Sequence, residues 1–170
     1  TLGYIPAKDF IPVAETLELM PKIGDWILIQ ASKVLQDWSK NESTKDLTLS
    51  VNISADHFMQ ENFEQIVTSM VQKNAVFPSQ LILEITERVA LNNIESVIEK
   101  MGFLHKNGIQ LSLDDFGTGY SSLSYLQKMP ISQIKIDQSF VQAALEDERC
   151  NKLVYGIVKI GLDLNLRVLA

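Results

Sequence analysis

The sequence predicts an α/β fold in which helices cover a parallel sheet. Short apolar runs of strand length alternate along the chain with longer segments of helical periodicity. Four of these runs have one apolar face and one face that carries polar or charged residues. The chain has 170 residues, of which 46% are hydrophobic, and this suits one domain with a sizeable core.

The first half of the chain is predicted to contain three helices and one strand. Pro6 stands near the start of a short helix in PAKDFIPVAE, since proline suits the first helical turn. Apolar residues recur at helical spacing over residues 19–38 and again over residues 57–73. Between these segments a polar loop at residues 39–46 leads into LTLSVNIS, residues 47–54, which is typical of a strand.

The second half of the chain continues the alternation. Pro78 marks the turn before a strand, and Gly108 fits the end of a helix. The predicted elements are a strand over 81–86, a helix over 92–106, a strand over 109–114, a short helix over 121–129, a strand over 132–137, a helical region in two pieces over 139–163 and the start of a strand at 165–170. This order suits an open doubly wound sheet or a (β/α)₈ barrel.

The polar faces of the strands favour the barrel. Four polar residues stand late in four successive strands: Asn52, Glu84, Asp114 and Lys135. A barrel directs such faces into one lumen, and function lies at the carboxyl ends of its strands. A full barrel needs about 250 residues. The prediction is therefore an incomplete TIM-like (β/α)₈ barrel of about five parallel strands with surrounding helices.

Composition excludes several classes of function. The net charge of −6 argues against broad nucleic-acid binding, although metal ions would let an anionic substrate bind. The apolar residues 153–170 are interrupted by charges, so no membrane span is predicted.

The lone Cys150 suits the reducing cytoplasm and is predicted to have no special role. Trp26 and Trp38 are predicted to lie in the core, and His57 and His105 at the surface.

Oxygen-bearing side chains at the strand ends predict a metal site. They suit Mg²⁺ or Mn²⁺ rather than Zn²⁺. Asp115 would face away from Asp114 if the strand continued, so we expect the FGTG loop to end the strand and turn Asp115 back. Such a pair can serve two metal ions about 3.5–4 Å apart, which activate water for a phosphoryl displacement. Lys135 is placed to hold a metal-bound water or the phosphate. An aspartate pair before a glycine loop is also common in turns and caps, so the prediction depends on the neighbouring strands.

The chain resembles the EAL domain, the bacterial module that hydrolyses cyclic di-GMP to linear pGpG. The matching stretches are FIPVAE, SVNIS, LEITE, LDDFGTGYSSL and IKIDQSFV, which together span nearly the whole chain. The resemblance implies a (β/α)₈-type barrel that uses Mg²⁺ or Mn²⁺, two ions in the complete domain. It places the family's metal ligands at Asn52, Glu84, Asp114 and Asp115, its active-site lysine at Lys135, and its loop-anchoring glutamate at Glu87; Asp115 and Lys135 are the expected catalytic residues.

The loop after the double aspartate carries further expectations from this resemblance. In the family it is linked to dimerisation and to metal and substrate binding, so a homodimer is expected. Its residues here are Phe116, Gly117, Thr118, Gly119, Tyr120, Ser121 and Ser122.

The chain departs from the family pattern at both ends. The name-giving Glu-Ala-Leu motif is absent, and the sequence stops at RVLA, where the family continues with Glu-Gly-Val-Glu. In the family, each of these two motifs supplies one glutamate to the active site. We therefore expect residues 1–170 to be a single partial EAL domain that lacks the first strand and the last strands of the barrel, and to be inactive alone.

The function of the parent protein has alternatives. We expect an active phosphodiesterase, because the ligand positions within the chain are intact. The alternatives are a non-catalytic sensor of cyclic di-GMP and an interaction domain that associates through unpaired sheet edges. A GGDEF or sensory domain upstream and a membrane-tethered parent are compatible with the sequence.

Overall fold

A five-stranded parallel sheet forms the centre of the computed structural model, which describes residues 3–91, 93–118 and 123–170. The strands are β1 (Leu49–Ile53), β2 (Leu81–Thr86), β3 (Gln110–Phe116), β4 (Gln133–Ile136) and β5 (Arg167–Leu169). Their order in the sheet is their order in the chain, and β1 and β5 are its edges within the described ranges. In a doubly wound sheet the order of the strands reverses at a switch point, whereas the five described strands follow one another without a reversal. The predicted barrel-type arrangement of about five parallel strands is confirmed, as an open sheet.

Helices precede and connect the strands. They are α1 (Ala7–Thr16), α2 (Met20–Trp38), α3 (Ala55–Phe58), α4 (Phe63–Lys73), α5 (Ile94–Lys106), α6 (Leu123–Leu126), α7 (Gln138–Ala143) and α8 (Glu148–Asp163), with 3₁₀ turns at Pro78–Gln80 and Glu87–Leu91. The predicted division of residues 139–163 into two helices is confirmed. None of the helices in the described ranges is both long and apolar enough to cross a membrane.

The helix predicted over residues 57–73 is two helices, α3 and α4. Phe58 and Phe63 are both fully buried, and their ring centroids lie 5.2 Å apart. In one continuous helix, residues five positions apart would point about 140° away from each other. The break between α3 and α4 lets both rings enter the same core.

Strand alternation places the apolar side chains as predicted. Val51 and Ile53 of β1 are buried, whereas Ser50 and Asn52, which alternate with them, are exposed. The corresponding apolar positions of the next three strands are also buried, namely Leu81, Leu83, Ile85, Leu111, Leu113, Ile134 and Ile136. Glu84, on the opposite face of β2, is buried too, so its carboxylate requires a partner within the protein.

The buried face of α2 differs from the predicted one. Trp26 is 62% exposed, so the prediction that it belongs to the core is wrong. The helix instead buries Leu28, Ala31 and Leu35, which follow one another at spacings of three and four residues. Trp38 is partly buried and packs against the core.

His57 is fully buried, so the prediction of a surface histidine is wrong. Its Nε2 lies 2.9 Å from a carboxylate oxygen of Asp25 on α2. The ring packs edge-on against Phe63, with centroids 4.9 Å apart. A Cβ at Gly24 would overlap the imidazole ring, so glycine is needed where α2 approaches α3. This contact fixes α2 beside the segment that follows β1.

Candidate active site

The carboxyl ends of the strands bring the predicted polar residues to one edge of the sheet. In the β1–β2 register Asn52 lies beside Glu84, and in the β2–β3 register Thr86 lies beside Asp114. Because neighbouring strands in a sheet lie about 4.8 Å apart, these positions are close in space. The sheet therefore gathers oxygen donors from three successive strands.

Lys135 of β4 joins two of these donors. Its Nζ donates to Glu84 Oε2 at 2.8 Å and to Asp114 Oδ2 at 3.0 Å. The Glu84 side chain is 6% exposed and that of Asp114 is 19% exposed, so the interaction is shielded from water. Charged hydrogen bonds in such surroundings are stronger than those at the surface. Lys135 thus offsets the repulsion between the two carboxylates.

The pKa of Lys135 is raised by this arrangement. Burial opposes the charged form of the lysine, but the hydrogen bonds that it donates to Glu84 and Asp114, together with their negative charges, favour it more strongly. The lysine is therefore protonated at neutral pH. It is a cation and hydrogen-bond donor there, not a base.

Asp115 occupies a bulge in β3. Leu113 pairs with Ile134 and Phe116 with Ile136, so β3 has one residue more than β4 over this interval. Asp115 has a φ of 54°, and its N–H donates to Asp114 Oδ1 at 3.0 Å. The prediction that the strand ends at Asp114 is wrong, because pairing with β4 resumes at Phe116. The bulge, rather than a strand end, reorients Asp115.

The carboxyl group of Asp115 has a raised pKa. Partial burial is the largest cause, and the neighbouring charges of Asp114 and Asp137 add to it. Lys135 and Arg88 act in the opposite direction. The ionised form of Asp115 is therefore less favourable in this fold than in water, which a bound cation would correct.

The donor chemistry at this edge fits a hard divalent cation. Glu84 and Asp114 each place an oxygen within 3.0 Å of the same ammonium nitrogen, so a single cation can contact both. Asn52 and Asp115 add oxygen donors from β1 and from the bulge. Mg²⁺ and Mn²⁺ prefer such ligands. Within the described ranges, no three His, Cys, Asp or Glu side chains form a group that could hold a metal ion by themselves.

Glu87 contacts the loop that follows the bulge. Its side chain is buried, and its Oε2 accepts a hydrogen bond from the N–H of Gly117 at 3.2 Å. Gly117 has a φ of 102°, a conformation that favours glycine. Thr118 Oγ1 donates to the carbonyl oxygen of Asp115 at 3.0 Å. These contacts hold the start of the loop next to the carboxylates.

The remaining loop positions divide into two groups. Phe116 is buried at the end of β3. The other four residues predicted for this loop lie outside the described residues, namely Gly119, Tyr120, Ser121 and Ser122.

Sequence reasoning assigned no role to two residues of this edge. Asp137 lines a cavity of about 540 Å³ together with Asp114, Asp115 and Lys135. It caps α7 by accepting hydrogen bonds from the side chain and the N–H of Ser139, which lower its pKa. The feature of the sequence that could have indicated Asp137 is its position two residues after Lys135. Arg88, in the 3₁₀ turn after β2, is close enough to influence Asp115 electrostatically.

The fold and this edge define a barrel-type α/β domain with a carboxylate–lysine cluster at its strand ends. The chain belongs to the EAL domain family, whose model matches residues 1–170. The recognition made from the sequence motifs is confirmed.

Relatives and a solved structure agree with this membership. The chain is 36% identical over 168 residues to the oxygen sensor protein DosP of Escherichia coli, covering 99% of this chain and 21% of DosP. It is 35% identical over 168 residues to the bifunctional diguanylate cyclase/cyclic di-GMP phosphodiesterase MucR of Pseudomonas aeruginosa, covering 99% of this chain and 24% of MucR. The PaMucR phosphodiesterase in its c-di-GMP complex superposes with a TM-score of 0.93 at 34% identity, over 99% of this chain and 68% of that one. The chain thus spans about a quarter or less of the length of these two curated relatives.

Proposed function

We propose that the chain is the central part of a metal-dependent phosphodiesterase that hydrolyses cyclic di-GMP to linear pGpG. The observation that carries this proposal is the cluster of Glu84, Asp114 and Lys135 at the carboxyl edge of the sheet. It occurs in a fold with a TM-score of 0.93 to a phosphodiesterase described in complex with c-di-GMP. The reaction adds water to one phosphodiester and breaks one P–O bond, so the ring opens.

The carboxylates and the lysine have different tasks in this reaction. Asn52, Glu84, Asp114 and Asp115 would hold Mg²⁺ or Mn²⁺, two ions in the complete domain. Bound divalent cations lower the pKa of water and stabilise the charge that develops on phosphoryl oxygens. Lys135, protonated at neutral pH, keeps Glu84 and Asp114 in position and offers its N–H groups to a phosphoryl oxygen.

The loop after the bulge is the proposed link between the site and a second copy of the chain. Glu87 fixes the start of this loop through Gly117, directly beside Asp115. We infer that the loop, residues 116–122, contributes to substrate binding and to a homodimer, as the family resemblance implies.

MucR is both a cyclase and a phosphodiesterase, which supports a GGDEF or sensory domain as a partner in the same protein. The lone Cys150 agrees with a cytoplasmic location.

The 170 residues alone should have little or no activity. They contain neither the Glu-Ala-Leu nor the Glu-Gly-Val-Glu motif, each of which supplies a glutamate to the family's site. Removing one member of a catalytic unit typically lowers the rate by orders of magnitude.

The test is to incubate the chain with cyclic di-GMP and Mn²⁺, beside the same chain extended to include both motifs. We expect linear pGpG from the extended form only. Turnover by the 170 residues at a comparable rate would contradict the proposed need for the two motifs. Tight binding without turnover by the extended form would contradict the enzyme and support a cyclic di-GMP sensor instead.

A further inference from the structure

We propose that Arg88 is a substrate-binding residue, and that its guanidinium group binds the phosphodiester of cyclic di-GMP that is not cleaved. This inference rests on the proposed function. It assigns a second phosphate contact at the edge of the site, on a different strand end from Lys135.

The position of Arg88 supports this role. It lies in the 3₁₀ turn Glu87–Leu91, directly beyond the carboxyl end of β2. The residue before it, Glu87, contacts the loop after the bulge, and the residue after it, Val89, is buried. Both flanking residues therefore fix the backbone of the turn, while the side chain of Arg88 is exposed. Glu84, four residues earlier, belongs to the buried cluster, whereas Arg88 is exposed to solvent just beyond the carboxyl end of the same strand.

The distribution of charge gives a second argument. Lys135 already contacts two carboxylates, so its charge is largely offset. Arg88 makes no hydrogen bond or ion pair with any residue in the described part of the chain. It is nevertheless near enough to the site for its charge to act on Asp115. A guanidinium group at the rim of an acidic site, with no hydrogen bond to the described residues, can bind an anionic group that the central cluster does not hold.

The substrate supplies such a group. Cyclic di-GMP contains two phosphodiesters, and one of them stays intact in linear pGpG. If the central cluster holds the phosphate that is cleaved, the other phosphate needs a partner elsewhere on the carboxyl edge. The planar guanidinium group can donate two parallel hydrogen bonds to a phosphate, which the ammonium group of lysine cannot do in the same geometry.

The experiment compares Arg88→Ala and Arg88→Lys in the full-length protein with the wild type. Lys106→Ala is the matched control, because Lys106 is exposed in the last turn of α5 and its loss changes the net charge equally. Two substrates are used: cyclic di-GMP, and bis(p-nitrophenyl) phosphate, which has a single phosphodiester. For Arg88→Ala we expect KM for cyclic di-GMP to rise on the order of tenfold or more, with kcat within about twofold. Arg88→Lys should recover only part of the loss, and hydrolysis of bis(p-nitrophenyl) phosphate should stay within about twofold of the wild type, the same bound as for kcat.

Three results would overturn the inference. The first is an unchanged KM for cyclic di-GMP in Arg88→Ala while the wild type is active, which leaves the proposed function intact. The second is an equal loss on both substrates, which would place Arg88 at the reacting phosphate. The third is a wild type that neither binds nor cleaves cyclic di-GMP, which would remove the proposed function as well. If the wild type binds cyclic di-GMP without cleaving it, calorimetry gives the dissociation constants of wild type and Arg88→Ala in place of KM. Equal dissociation constants would then overturn the inference.

Discussion

Lys135 joins Glu84 and Asp114 into one hydrogen-bonded unit at this edge of the sheet. Glu84 is nearly inaccessible to water, and Asp114 is mostly shielded. Without the lysine, two negative charges would face each other in surroundings that solvate them poorly. The lysine therefore stabilises the fold as well as serving the proposed reaction.

Replacing Lys135 with methionine should destabilise the protein at pH 7. We expect a loss of about 1–3 kcal/mol, below the cost of breaking a fully buried pair because the lysine side chain is 29% exposed. Urea unfolding in EDTA measures it. Lys152→Met is the control, since its pair with Glu148 is exposed and should contribute less than about 1 kcal/mol. Equal effects of the two substitutions would contradict the prediction.

The stability contributed by Lys135 should depend on pH. Its folded-state pKa is raised above the usual 10.5, so the contribution is complete below pH 10.5 and is lost as the pH rises through the folded-state value. The difference between wild type and Lys135→Met should therefore shrink only in strongly alkaline solution. A difference that disappears between pH 6 and pH 9 would show that another group is responsible.

Asp115→Asn should stabilise the metal-free protein at pH 7 while lowering the proposed activity. The raised pKa of Asp115 means that its ionisation opposes folding, and asparagine accepts a φ of 54°. Because the side chain is exposed, we expect a gain below about 1 kcal/mol. The gain should fade as the pH falls through the raised folded-state value and should be absent below the usual aspartate value of 3.8, where both states are protonated. An equal gain at pH 3 and pH 7 in urea unfolding would contradict this origin.

At the level of secondary structure, local patterns predicted the elements better than their ends. The bounds of β2 match the prediction because an apolar run follows a proline turn and is buried on both faces. The end of β3 was missed because Phe116 belongs to the strand only through its pairing with β4. Glu84, Asp114 and Lys135 were placed together by strand alternation alone. Their direct ion pairs, and the conformation of Asp115, depend on register and could not be read from local sequence.

The packing of α8 against the sheet gives a test with a control in the same helix. A Cβ at Gly161 would overlap Val168 of β5 and lie 3.0 Å from Ile134 of β4, whereas nothing lies near Gly156. Gly161→Ala should therefore destabilise the protein by about 1–3 kcal/mol. Gly156→Ala should stabilise it by up to about 1 kcal/mol, because alanine favours helix. Thermal unfolding of both variants measures this, and a stabilising Gly161→Ala would show that α8 is free to move away from the sheet.

For the molecule as a whole, the proposed metal site would link ligand binding to folding. A cation that binds only the folded state raises the unfolding free energy, by about 2.7 kcal/mol at a concentration 100 times its dissociation constant. We expect the unfolding midpoint to rise with Mn²⁺ and this rise to be lost in Asp114→Asn. Glu148→Gln, which removes an exposed carboxylate of α8, should keep the full response. A rise of the same size in both variants would indicate binding elsewhere on this acidic chain.

The order of the strands has a consequence for synthesis of the chain. Because each strand pairs with its predecessor, the sheet can extend one strand at a time as the polypeptide leaves the ribosome. Asp114 can then reach Glu84 before Lys135, which lies 21 residues later, has left the ribosome. At the usual rate of translation that gap corresponds to roughly one to four seconds. We expect the nascent sheet to present two facing carboxylates without their lysine during this interval, which would favour pairing of the sheet edge with a strand that carries a positive charge.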